Sequence, residues 1–168
     1  MKWPRTPAHA YTQRLAIIGK ISYMVISFDL DDTLIPGIKN FETEKQNFFQ
    51  RMIGLDRIRY GTTDLFKILR SHGHKIYIYT TSYRSIVKIK LTFYFYGIPI
   101  DKVINQQIHN KELRELKTRT TKYPPAFGID IHIDDSYGVK KEGDNFNFKT
   151  VIIDENEINW ENKILNNL

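Results

Sequence analysis

An acidic cluster with the sequence DLDDT directly follows the apolar residues 23–28 and contains the side chains best suited to chemistry. Alternate residues at the end of a β-strand project in the same direction, so the carboxylates of Asp29 and Asp31 can converge on one point. Two carboxylates that lie so close repel one another unless a cation or a shared proton relieves the repulsion. This spacing therefore indicates either a metal site or a pair of carboxylates with different protonation states.

Polar side chains also follow two other apolar segments. Asp134 and Asp135 come directly after residues 129–133, and the hydroxyl-bearing residues 80–82 follow residues 76–79. If the strands are neighbours, the two acidic pairs form one oxygen-rich cluster, which suits Mg²⁺ better than zinc. The hydroxyl groups can hold an anion. Ligands of open parallel sheets bind where strands end, so these residues predict one shared site.

The elements that must position these residues alternate along the chain. Short apolar segments typical of buried strands are separated by longer segments with helical periodicity, which predicts a three-layer, Rossmann-like α/β fold. We expect a mainly parallel sheet of about five strands. The predicted strands are residues 23–28, 76–79, 103–104, 129–133 and 150–153. The predicted helices are residues 63–71, 85–96, 109–117 and 158–168.

Length and composition limit the remaining possibilities. The 168 residues, 41% of them apolar, suit one domain with one core. We expect residues 23–168 to form this domain and residues 1–22 to form a helical N-terminal extension packed on it. The absence of cysteine excludes disulfides, thiolate zinc sites, iron–sulfur clusters and a cysteine nucleophile.

Charge and hydropathy give a further expectation about partners and location. The 25 basic and 19 acidic residues leave a net charge of +6, which favours anionic ligands without naming one. No apolar stretch is typical of a signal peptide or a membrane span, so we expect a cytoplasmic protein without a membrane partner.

Three of these segments, in this order, resemble a known family. FDLDDTL, IYIYT ending in Thr80, and IHIDD resemble the first, second and fourth motifs of the haloacid dehalogenase (HAD) superfamily of phosphohydrolases with an aspartate nucleophile. The third motif of that superfamily is a single lysine ahead of the acidic strand. We assign it to Lys122, which a proline follows closely, with Lys117 and Lys111 as alternatives. Lys111 fits the usual spacing of the family better.

The resemblance implies a role for each of these residues. Asp29 would attack phosphorus and form an aspartyl phosphate, while Asp31 would protonate the leaving oxygen and later deprotonate water. Thr80 and Lys122 would bind the phosphate group. Asp135 would be either a further metal ligand or an orienting residue. The implied cofactor is Mg²⁺, and its ligands would be Asp29, Asp31, Asp134 and Asp135.

The function implied is Mg²⁺-dependent hydrolysis of a phosphomonoester, on a small phosphorylated substrate or a phosphorylated macromolecule. A weakly active or inactive HAD-fold module that binds nucleic acid or protein is an alternative, as is a HAD phosphotransferase. The acid/base residue Asp31, which the dehalogenases of the family do without, favours a phosphatase. Nucleic acid is not expected as a partner, because only the overall charge and a few basic stretches point to it.

The spacing of the motifs predicts a minimal cap over the site. Residues 34–62, ahead of the first predicted helix, are too few for the inserted cap domain of larger family members. We expect an open site, closed at most by a flap at residues 35–41, a helix near residues 42–52, the N-terminal segment or a partner subunit.

Two further residues near the motifs have open interpretations. Arg84 could reach a substrate phosphate or lie exposed at a helix start. His132 alternates with Ile131 and Ile133, so we expect it to be buried beside the sheet rather than to act as a base.

Overall fold

Five strands of the computed structural model, which describes residues 23–168, run in the same direction and form one sheet. They are β1 Val25–Phe28, β2 Lys75–Tyr79, β3 Lys102–Ile104, β4 Ile131–Asp134 and β5 Lys149–Ile152. Their order in the sheet is β3-β2-β1-β4-β5, with β1 in the centre. The predicted parallel sheet of five strands is confirmed. The predicted extension, residues 1–22, lies outside the described residues.

Helices cover both faces of the sheet. They are α1 Phe48–Met52, α2 Thr62–Ser71, α3 Ile86–Phe95, α4 Gln106–Leu116, α5 Tyr137–Phe146 and α6 Trp160–Leu165, with a 3-10 helix at Pro124–Phe127. On one face, the Phe28 ring lies 4.8 Å from Phe66, which stacks on Phe93 at 5.9 Å. On the other face, the Tyr79 ring lies 5.2 Å from Phe127. No helix within residues 23–168 has the length and apolar character of a membrane span.

Strand register explains why the motifs meet. Phe28, the last residue of β1, pairs with Ile78 of β2 and with Ile133 of β4. The residues that follow these three strands therefore leave the sheet side by side at its carboxyl edge. This edge receives both acidic clusters and the hydroxyl-bearing residues 80–82.

Helix α5 was not predicted from the sequence. It follows the second acidic cluster directly, and its two glycines, Gly138 and Gly143, weaken the helical pattern. Gly143 is required because a Cβ atom there would lie 2.7 Å from the Phe148 carbonyl and 2.7 Å from the Thr150 hydroxyl. The close approach of α5 to β5 thus explains a residue that locally disfavours the helix.

The segment between β1 and α2 contains little that could act as a cap. Residues 29–61, all of which the structure describes, form a tight loop, one antiparallel bridge between Thr43 and Arg59, and α1. Gln50 of α1 donates to the carbonyl of Phe95, the last residue of α3, with Nε2 and O 2.8 Å apart. Because α3 begins at the carboxyl edge of the sheet and ends at the opposite edge, α1 lies away from that carboxyl edge. Of the four possible closures of the site, the contact with Phe95 argues against this helix.

Candidate active site

The loop after β1 holds Asp29 at the carboxyl end of the central strand. The Asp29 amide donates to the Ile133 carbonyl over 2.8 Å, which continues the pairing of β1 with β4. Beyond it the chain turns sharply, because the amide of Ile35 donates to the Leu30 carbonyl and that of Asp32 to the Ile35 carbonyl, each over 2.8 Å. Leu30 is fully buried and anchors this turn. Asp29 is therefore fixed in place and only 7% exposed.

Lys122 is the lysine that the structure brings to Asp29. Its Nζ lies 2.6 Å from Asp29 Oδ1, and the residue is only 2% exposed. Nζ also donates to the Tyr79 carbonyl at the end of β2. The other two candidates, Lys111 and Lys117, are exposed on α4 and at its end. Of the three candidate lysines, Lys122 is the one that contacts Asp29.

Three hydrogen bonds hold the segment that carries Lys122. The Glu142 carboxylate of α5 accepts from the amides of Thr121 at 2.7 Å and Lys122 at 3.0 Å. The Tyr79 hydroxyl accepts from the amide of Tyr123 at 2.9 Å. The segment between α4 and β4 is short because its only helix is the single 3-10 turn, which two prolines start. No sequence motif marks Glu142, and IYIYT does not indicate that Tyr79 holds this segment, since both residues act through tertiary contacts.

Electrostatics make Asp29 titrate near neutral pH. Burial is the largest effect, and it raises the pKa of Asp29 from 3.8 to about 7 against the opposing effect of Lys122. The nearby charges of Asp134 and Asp135 contribute to this rise in pKa, after burial. The carboxylate of Asp29 thus lies among other negative charges that Lys122 only partly offsets.

A buried chain of hydrogen bonds orients Asp134. Its Oδ2 lies 2.9 Å from His132 Nε2, and His132 Nδ1 lies 2.8 Å from Ser27 Oγ. Burial lowers the pKa of His132, so the ring is neutral. Burial alone would raise the pKa of Asp134, but the hydrogen bond from His132 and the charge of Lys122 hold it below its ordinary value. An ionised Asp134 only accepts, so Nε2 carries the proton and Nδ1 accepts from Ser27.

These three residue types resemble a hydrolytic triad, but their burial excludes that chemistry. Ser27 and His132 are fully buried within β1 and β4, and Asp134 is 2% exposed. A nucleophilic serine has to reach its substrate, which Ser27 cannot do. His132 is therefore a residue that positions Asp134, in line with the expected burial beside the sheet.

Asp31 lies in the same loop and faces a different partner. It forms an ion pair with Arg84, which follows β2, and both side chains are about one-third exposed, 39% and 32%. The Thr80 hydroxyl, 1% exposed, lies 3.5 Å from Asp31 Oδ2 and accepts from the Ser82 amide at 3.1 Å. The structure thus brings Asp31 and Thr80 together and adds Arg84, whose role the sequence left open.

Asp135 is oriented by the flap rather than by the strands. Its carboxylate lies 2.8 Å from Lys39 Nζ and accepts from the Thr33 hydroxyl at 3.2 Å. The hydrogen bond to Asp135 and its charge raise the pKa of Lys39. Lys39 therefore connects the flap to the end of β4, a contact without any signal in the sequence.

The donor groups at this edge fit an oxygen-preferring cation. Within residues 23–168 no three His, Cys, Asp or Glu side chains come together as a complete metal site. Asp29 and Asp134 follow or end paired strands, both are buried, and their charges interact strongly enough to affect the pKa of Asp29. Mg²⁺ commonly takes one or two carboxylates and keeps several waters. The roles of Asp29, Asp31, Asp134 and Asp135 as ligands stay predictions.

Comparisons with known proteins support the fold alone. No protein-family model and no curated protein matches this chain. A predicted HAD-like family hydrolase from Porphyromonas gingivalis matches with a TM-score of 0.50 and 16% identity over 86% of this chain and 97% of that one. A Pnkp1/Rnl/Hen1 complex matches with a TM-score of 0.48 and 14% identity over 77% of this chain and 45% of the other. This chain spans less than half of that matched chain. The likeness to the Porphyromonas gingivalis protein shows that the two chains share an α/β fold.

Proposed function

We propose that this protein hydrolyses phosphomonoesters through an aspartyl phosphate on Asp29 and depends on Mg²⁺. The observation that carries the proposal is the buried pair of Asp29 and Lys122 at the end of the central strand. A carboxylate held there by a lysine, beside a second buried acid at Asp134, is suited to attack a phosphate dianion. The HAD-like fold supports this class of reaction.

Asp29 starts the reaction. Its carboxylate oxygen bonds to phosphorus while the bond from phosphorus to the leaving oxygen breaks, and an aspartyl phosphate results. Asp31 donates a proton to the leaving oxygen, which departs as an alcohol. Lys122 and the hydroxyl of Thr80 offset the negative charge on the phosphate oxygens.

Water completes the turnover. Asp31, now ionised, accepts a proton from the water that attacks phosphorus, and inorganic phosphate leaves with Asp29 restored. Arg84 pairs with Asp31 in the structure and positions its carboxyl group beside Thr80. Asp29 and Asp134 would hold Mg²⁺, which would reduce the repulsion between a carboxylate and a phosphate dianion.

A panel of phosphorylated metabolites tests the proposal directly. We expect phosphate release that requires Mg²⁺ and stops with EDTA, and Asp31→Asn to lower kcat by about 10²–10⁴-fold because a general acid/base is lost. Released phosphate is measured for every substrate. Phosphate release that persists at full rate in EDTA would refute the metal dependence, and no release from any ester would favour a binding module.

The open edge of the sheet predicts broad selectivity among small esters. A lid excludes water and adds contacts that discriminate between substrates, and α1 lies too far from the edge to provide one. We therefore expect either weak binding of many small esters or a large substrate whose own bulk covers the site.

Stabilisation by Mg²⁺ is expected to depend on pH. The pKa of Asp29 is raised on folding, so its protonation stabilises the metal-free protein below about pH 4, and this contribution is lost as the pH rises through about 7. Mg²⁺ binds the ionised carboxylate, so it should raise Tm more at about pH 8 than at about pH 5. Thermal unfolding of the wild type and of Asp29→Asn measures this difference. An equal Mg²⁺ effect at both pH values would exclude Asp29 as a ligand.

A further inference from the structure

A groove runs along the exposed side of α4 and ends at the candidate active site. It consists of three adjoining cavities of about 820, 470 and 420 Å³. Asn110 and Arg114 line the first two, while Tyr83 and Gln107 line the second and third. We call this surface the α4 groove, from residues 83–84 along α4 to residues 117–121.

Both ends of the α4 groove connect with residues already described. Arg84 lines the third cavity and pairs with Asp31. At the other end, Thr121 lines the first cavity and directly precedes Lys122. A ligand that fills the groove therefore extends from the site along one side of the domain.

Helical spacing explains why α4 presents a continuous polar face. Gln107, Asn110, Lys111 and Arg114 are three, four and seven positions apart, which places them on one side of the helix. The buried residues of α4 are His109 and Leu113. The same helix thus both packs on the sheet and lines the groove.

The charge of the α4 groove is strongly positive. Five basic side chains line it, and they are Arg84, Lys111, Arg114, Lys117 and Arg119. Apart from Arg84, none of them pairs with an acidic side chain among residues 23–168. The opposing acids are Glu115 and Glu142, and Glu142 already accepts two backbone amides. A ligand with several negative charges fits this surface.

Aromatic and amide groups narrow the class of ligand. Tyr83 is 66% exposed, and its hydroxyl accepts from Asn110 Nδ2 at 3.4 Å. An exposed aromatic ring offers a face on which a base can stack, and amide side chains can hydrogen-bond to base edges. An acidic phosphopeptide would use the positive charges but would have no particular need of the exposed ring. The combination favours a single-stranded nucleic acid.

The geometry points to a single-stranded polynucleotide in the α4 groove, with its terminal phosphate monoester presented to Asp29. This inference rests on the proposed function and names its substrate class. The bond from phosphorus to the terminal ribose or deoxyribose oxygen breaks, water supplies the oxygen of the released phosphate, and the strand keeps a hydroxyl. The bound strand would also cover the carboxyl edge of the sheet, from which α1 lies away.

Binding is tested with fluorescein-labelled single-stranded oligonucleotides that end in a 3′-phosphate, a 5′-phosphate or a hydroxyl. Asp29→Asn serves as the background because it should bind without turnover. Lys111→Gln/Arg114→Gln should weaken binding at least about tenfold and reduce the slope of log K against log salt by about 1.4, because two phosphate contacts are lost. Lys67→Gln/Lys140→Gln, which removes two exposed charges on other helices, should change affinity less than about twofold.

Turnover separates this inference from the proposed function. In the otherwise wild-type enzyme, the groove substitutions should lower kcat/KM for the phosphorylated oligonucleotide relative to that for p-nitrophenyl phosphate by at least about tenfold. One outcome would overturn the groove inference alone. In it, the enzyme hydrolyses small esters, but the groove double variant and the control double variant bind the oligonucleotide equally weakly. Groove-dependent binding without phosphate release from any substrate would instead overturn the proposed function. Equal groove-dependent binding of a phosphoserine peptide of the same charge would overturn the assignment to nucleic acid.

Discussion

Asp29→Asn is expected to lower phosphate release by more than about 10⁴-fold, because an amide cannot form the acyl phosphate and the covalent route is lost. Folding should change little. The amide oxygen can still accept from Lys122 Nζ, which lies 2.6 Å from Asp29 Oδ1. The ionised carboxylate of Asp29 adds little to the stability of the folded protein at neutral pH, because burial raises its pKa to about 7. Steady-state kinetics measure the loss of phosphate release. Circular dichroism and thermal unfolding measure the effect on folding.

Asp32→Asn is the matched control for this prediction. Asp32 lies in the same turn, but its Oδ1 accepts from the amides of Gly37 at 3.0 Å and Lys39 at 2.8 Å rather than facing Asp29. Its φ of 62° is left-handed, a conformation that asparagine tolerates well. The control should retain turnover within a few-fold. Wild-type turnover by Asp29→Asn would end its assignment as the nucleophile.

Lys122→Met is expected to lower kcat by about 10²–10³-fold, the usual cost of removing one group that stabilises charge on the reacting atoms. Without the lysine, the pKa of Asp29 rises further above its present value of about 7, so the nucleophile is protonated at neutral pH. The remaining activity should therefore increase towards alkaline pH. A pH profile of kcat measures this shift.

The free energy of unfolding gives an independent measure of the interaction between Asp29 and Lys122. Lys122→Met leaves the Asp29 carboxylate buried without its partner, which costs about 3–5 kcal/mol of unfolding free energy when that carboxylate is ionised. The double variant Asp29→Asn/Lys122→Met should recover part of this loss, because neither charge is then unpaired. Denaturant unfolding of the two single variants and the double variant measures the coupling.

Lys111 and Lys117 provide the controls for the prediction on Lys122→Met. Lys111→Met and Lys117→Met remove the same charge from exposed positions. With a small ester as substrate, both should lower kcat far less than Lys122→Met does. A loss at Lys111 equal to that at Lys122 would contradict the assignment that the geometry supports.

Much of the fold followed from local patterns in the sequence. The strands were predictable because apolar segments end at DLDDT, TTS and DDS, and the helices because periodic segments end near glycines. The ends of the helices were less predictable. Helix α4 begins at Gln106 because the Asn105 side chain caps it by accepting from the Ile108 amide at 3.2 Å. Helix α5 was missed because Gly143 serves a tertiary contact rather than the helix itself.

The sequence by itself determined which residues gather at the candidate site. Asp29, Asp31, Thr80 and Asp134 follow or end strands, and parallel strands meet at one edge whatever the loops between them do. Those four positions depend only on where apolar segments stop, which is a local property of the chain.

Only the tertiary structure decided which lysine approaches Asp29, what orients Asp134 and how the basic residues line up. The choice of Lys122 depends on the path of a segment held by Glu142 and Tyr79, and His132 orients Asp134 through a contact inside the sheet. The α4 groove likewise combines residues 83–84 with residues 106–121. The physical reason is the same in each case: these arrangements rest on contacts between distant segments, and such contacts leave no period or spacing in the sequence.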